Sequence, residues 1–141
     1  MEAEKDISAC TNQVLRFFRC LDERQYEAMA AILDEDAVWY RQGKTLQGPK
    51  ATLEALTQRS TTMRIVHVIT NLMVERLQTS DCVMRGYMLI VRHEPGCALS
   101  GPAPLNGIES IRDLEVELTQ RNNQWRIKAL SAEDVLFAQN K

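Results

Sequence analysis

The chain has few of the residues that mark a specialised environment or partner. Its 141 residues include two histidines, six glycines and four prolines, and aromatics make up 6%. Its four cysteines, Cys10, Cys20, Cys82 and Cys97, form no CxxC pair. With so few histidines to assist them, a zinc site is not expected and free thiols are the better reading. Basic charge is not in excess either. The 17 basic and 19 acidic residues give a formal charge of -2 with no stripe or tail, which argues against a nucleic-acid partner. Apolar runs stay far short of the ~20 residues that cross a membrane. The opening segment is charged and lacks the apolar stretch of a secretory signal, so the expected compartment is the cytoplasm. Neither a Gly-rich phosphate loop nor an HExxH element occurs, so no cofactor and no metal are expected.

What is present is the composition of a globular domain, 45% apolar and 26% charged. The length suits one domain, residues 1–141, with a core and an internal cavity. Ile7, Cys10, Val14, Phe17 and Leu21 recur at steps of three and four. That spacing predicts a helix from about Asp6 to Leu21, with Asp6 or Ser8 as cap. A second helix is expected from about Gln25 to Leu33, stopped by the acidic turn Asp34-Glu35-Asp36. A short strand at Ala37–Tyr40 follows, and then a third helix from Lys50 to about Gln58 with Pro49 in its first turn.

From Met63 the period changes to two. Strands are expected at Met63–Leu77, Cys82–His93, Ile108–Gln120 and Gln124–Ala132, the last two joined by the hairpin signal Arg121-Asn122-Asn123. Between them Glu94–Gly107 is rich in Gly and Pro and reads as a long loop, either a lid or a disordered excursion. Helices first and antiparallel strands afterwards spell an α+β fold.

Four places carry candidate chemistry. His67 shares a strand face with Ile65, Ile69 and Met73, while Val66, Val68, Leu72 and Val74 take the other. Both faces are largely apolar, so this histidine is either a hydrogen-bonded core residue or a general base in a dry pocket. Asn71, on the same face, needs a partner if buried. Asp22 sits where the first helix ends. A carboxylate bonded to an imidazole fixes its tautomer and stabilises the imidazolium, which is the minimum equipment for an elimination or isomerisation. Asp113 alternates with Ile111 and Glu115 opposite Arg112, Leu114, Val116 and Leu118, so its face most simply meets solvent. Tyr87 is placed either to donate to a substrate oxygen or to pack.

The segments Cys20-Leu21-Asp22-Glu23-Arg24-Gln25-Tyr26-Glu27 and Ile32-Leu33-Asp34-Glu35-Asp36-Ala37-Val38-Trp39 resemble the opening of SnoaL-like proteins of the NTF2-like group. Gly48-Pro49, the run Val66-His67-Val68-Ile69-Thr70-Asn71, and the closing Arg112-Asp113-Leu114 and Gln124-Trp125-Arg126-Ile127 follow in family order. The resemblance spans roughly Val14 to Ala132. It implies an NTF2-like, cystatin-like cone: a curved antiparallel sheet around a pocket, behind about three N-terminal helices. At its two most specific elements the chain is similar to scytalone dehydratase, bile-acid dehydratase and hexachlorocyclohexane dehydrochlorinase. Carried over, Asp22 and His67 would form the dyad of a cofactor-independent lyase or isomerase. Its substrate would be a small hydrophobic, cyclic or aromatic molecule, contacted by Trp39, Asn71, Tyr87 or Asp113. Leu21 stands where some of these dehydratases carry a tyrosine. The ketosteroid-isomerase positions hold Phe17 and Arg41. The same resemblance admits a non-catalytic reading, a ligand-binding module or a partner like the β subunit of ring-hydroxylating dioxygenases. In either case a homodimer through the outer sheet face is expected, covering Val66, Val68, Leu72 and Val74.

Overall fold

The structure, a computed structural model, describes residues 2–140. Helix α1 (Glu2–Asp22) buries Cys10, Val14, Phe17, Phe18 and Leu21, the expected stripe with Phe18 added and Ile7 left at its rim. Asp6 is not a cap. The helix begins earlier, and the Asp6 carboxylate accepts the indole N–H of Trp125 at 3.1 Å. Helix α2 (Tyr26–Ala30) has only five residues, shorter than the expected Gln25–Leu33. It stops early because Leu33 already belongs to β1 (Leu33–Arg41), where it aligns with Ile127. Asp34 therefore lies in a strand and not in a turn, buried and within 3.4 Å of the Arg121 guanidinium.

A two-residue turn at Gln42-Gly43, both at positive φ, folds β1 back into β2 (Lys44–Gln47). This short strand had no sequence signal beyond that turn. Helix α3 (Gly48–Leu56) has Pro49 in its first turn, as its fixed φ favours. Four long strands follow: β3 (Arg64–Leu77), β4 (Asp81–His93), β5 (Ser110–Arg121) and β6 (Gln124–Ala138). The β5–β6 hairpin turns at Asn122 and Asn123, both left-handed, a conformation that asparagine tolerates better than most residues.

All six strands form one curved sheet in the order β2-β1-β6-β5-β4-β3. The fold class is the expected α+β one, with one difference: β1 runs parallel to β6 while every other pair is antiparallel. Helix α1 lies inside the curl and touches both β3 and β6. Its Phe17 ring meets Trp39 edge-on at 5.4 Å. Replacing one such fully buried phenylalanine by alanine costs about 3–5 kcal/mol.

One irregularity decides which residues face inward. Thr70 pairs with Tyr87 and Met73 with Arg85, so Asn71 and Leu72 together oppose Gly86 in a β-bulge. Asn71 takes φ +53 there. Gly86 is demanded by the close approach, since a Cβ on it would lie 3.0 Å from the Thr70 carbonyl oxygen and 3.2 Å from Leu72. The bulge reverses the strand's facing. Ile65, His67 and Ile69 point inward before it, Leu72 and Val74 after it, and Met73 turns out. Two of the four residues expected to need a covering partner, Leu72 and Val74, are thus already packed on the core, whereas Val66 and Val68 remain exposed.

Candidate active site

The last residue of α1 is a carboxylate at the negative end of a helix dipole, where an anion is disfavoured by about 0.3–1 kcal/mol. Asp22 is held there by other bonds. Its Oδ1 lies 2.5 Å from His67 Nδ1, and its Oδ2 accepts the His67 backbone N–H at 2.8 Å. Both oxygens of one carboxylate therefore grip one residue of β3. The two side chains are only 11% and 9% exposed. The carboxylate can only accept, so Nδ1 carries a proton, and in the neutral imidazole the lone pair is on Nε2. The Phe18 ring, tilted at 39° with its centroid 5.5 Å away, fixes the plane of the imidazole from one side.

His67 lines a cavity of about 430 Å³, whereas Asp22 lies behind it and is not part of the lining. The imidazole is the link between the buried carboxylate and the open space. Phe18, Leu21, Trp39, Ile65, Met88 and Leu130 make the buried apolar floor. A cavity of this size and lining is ordinary for a small-molecule site.

Trp39 is the only one of the expected contact residues that lines this cavity. Asn71, Tyr87 and Asp113 do not reach it, and their expected contacts with a substrate there are corrected. Alternation puts Tyr87 and its cross-strand partner Asp113 on the outer face, and the bulge turns Asn71 out beside them. The three share a shallow outer groove with Arg85, whose guanidinium is ion-paired to Asp113 and lies 3.6 Å from Glu75. Of the long loop, Glu94 alone reaches the cavity, so the loop as a whole is not its lid.

Four arginines that the sequence pattern does not mark as a site stand around the cavity: Arg41, Arg59, Arg92 and Arg112. Three of them stand at one end or the other of an inward-facing alternation. Ala37, Trp39 and Arg41 share a face, as do Met88, Ile90 and Arg92, and Arg112 begins the series Leu114, Val116, Leu118. A charge in phase with an apolar face was the available signal. Burial above all, then repulsion from Arg59, holds the Arg41 guanidinium below its ordinary range, and Arg92 adds to that repulsion. Buried Cys10 and Cys82 stand apart from this site; burial pushes both thiols up, which makes them inert. Among the described residues no helix is long and apolar enough to cross a membrane.

A helical layer laid inside a curled sheet, with a pocket between them, is the architecture of the NTF2-like or cystatin-like class of proteins. The family model of the SnoaL-like domain matches residues 2–131, and the chain belongs to that family. Three solved structures from Novosphingobium aromaticivorans share the fold. An NTF2-like protein with a cystatin-like fold is 14% identical over 92% of this chain and 80% of its own, with a TM-score of 0.72. A protein provisionally named a scytalone dehydratase is 18% identical over 95% of this chain and 88% of its own, with a TM-score of 0.70. Another, provisionally named an aromatic ring hydroxylase, is 17% identical over 92% and 87%, with a TM-score of 0.74. No curated protein sequence matches the chain.

Proposed function

We propose that the protein is a cofactor-independent lyase or isomerase of the dehydratase type, with His67 as general base and Asp22 as the residue that orients it. The observation that carries this reading is the imidazole itself, bonded through Nδ1 to a buried carboxylate and lining a cavity with an apolar floor. A core histidine needs its partner but has no need of the cavity. In the proposed reaction Nε2 takes a proton from a substrate carbon. The C–H electron pair becomes the new double bond while the C–O bond breaks toward oxygen. The imidazolium then returns the proton to the departing hydroxide, and water leaves with no oxidant or metal required. General-base help of this kind contributes ~10²–10⁴ in rate, and positioning in the cavity supplies the remainder. The fold shared with the provisionally named scytalone dehydratase supports the same reaction class.

The test is a screen of cyclic β-hydroxy ketones and β-hydroxy acids, followed by the ultraviolet absorbance of the conjugated product. We expect dehydration by the native protein and a ~10²–10⁴-fold lower kcat in His67→Ala, with the melting temperature little changed. Equal rates in the two proteins, or no turnover of any member, overturn the reading.

A further inference from the structure

We infer that the ligand of this cavity carries a carboxylate, and that Arg41 and Arg112 hold it at the rim while its apolar ring body lies against the floor. The inference rests on the active-site reading for the location of the site, and on the charges of the rim for the chemistry.

The chain is acidic overall, with a formal charge of -2, yet the cavity is lined by four arginines against two glutamates. Those glutamates are turned to other donors. Glu94 accepts from the hydroxyls of Ser60 and Thr62 and from the Gly96 N–H, and these bonds hold it below the usual carboxylate range. Glu133 accepts the Gly43 N–H at 2.9 Å. Two of the arginines are likewise committed. Arg59 donates to the Leu21 carbonyl and the Tyr26 hydroxyl, and Arg92 pairs with Glu109 at 3.1 Å.

Like Arg59, Arg41 and Arg112 have no acidic partner among the described residues; unlike Arg59, they flank a single residue of β6. Among the described residues neither has a carboxylate within 4.0 Å. Arg41 lies over the Trp39 ring, 5.5 Å from its centroid. Arg112 donates from Nη1 to the Ala132 carbonyl at 3.1 Å and from Nε to the Ser110 hydroxyl at 3.3 Å, which leaves its Nη2 free of a partner among the described residues. The topology brings them to one place. Strand β6 runs between β1 and β5, and Tyr40 aligns with Ser131, so Arg41 stands level with Ala132 on one side and Arg112 bonds to it from the other. The small Ala132 side chain lines the cavity between them. Partly desolvated guanidiniums without a counter-ion are a standing electrostatic cost that a bound anion relieves. A planar carboxylate matches the guanidinium fork, and a single negative charge at the rim leaves the apolar floor for the ring body.

The experiment compares 2-naphthoate with its neutral amide, 2-naphthamide, by titration calorimetry on the native protein and on Arg41→Gln and Arg112→Gln. We expect the carboxylate to bind about 10–100-fold tighter than the amide, the worth of one hydrogen bond to a charged group. Each substitution is expected to erase most of that preference while leaving amide affinity unchanged. Equal binding of the two probes, binding of neither, or a preference that survives in both variants overturns the proposal. The readout is affinity alone, so it stands or falls separately from turnover: His67→Ala is expected to lose dehydration and keep the carboxylate preference.

Discussion

The two faces of the β3–β4–β5 sheet carry the same kinds of side chain and use them in opposite ways. On the inner face the His67 imidazole and the Asp22 carboxylate that α1 brings to it are largely shut away from water, and the imidazole lines a cavity. On the outer face Asp113 pairs with Arg85 in an open groove, and Asn71 and Tyr87 sit beside them. Sequence types alone do not separate these sets; burial does. A carboxylate stripped of water interacts strongly with its one partner, whereas an exposed ion pair is screened and contributes little. The comparison teaches that the site is made by what excludes water around it.

The sharpest way to break that contrast is Asp22→Asn. The amide oxygen can still accept the His67 backbone N–H, so the strand keeps its anchor. The amide NH₂ then faces Nδ1 and forces the proton onto Nε2, which removes the base. The expected loss in kcat is ~10²–10⁴-fold in a protein that still folds, measured with the dehydration assay and circular dichroism. A smaller effect is expected where the two faces exchange register. Gly86→Ala places a methyl group against the Thr70 carbonyl and the Leu72 backbone. It should destabilise the fold by about 1–3 kcal/mol in chemical denaturation. On the outer face, Arg85→Ala should leave turnover and melting temperature where they were. A large loss of turnover there would erase the distinction between the faces.

The inner face was partly legible and partly not, for identifiable reasons. Helix α1 was readable because its apolar stripe keeps the 3.6-residue period from Cys10 to Leu21. His67 and Asp22 were found as a pair through the order of their segments, which no periodicity contains. Counting by twos puts Met73 inside and Leu72 and Val74 outside, the reverse of their places, because it cannot see the residue that a left-handed Asn71 adds to the strand. Asn71 itself was expected inside for the same reason. Arg41, Arg92 and Arg112 were in phase with the core all along. A guanidinium ordinarily reads as surface, and only the cavity supplies the reason for its place.

The second bond of Asp22 has a consequence for the strand it grips. Strand β3 is an end member of the sheet, paired on one side by β4 alone. Its far side presents backbone groups that invite another chain to dock. The His67 amide is one of these groups, and the carboxylate covers it. Asp22 therefore also shields an open sheet border, so in the proposed function one side chain would serve both the chemistry and the solitude of the sheet edge.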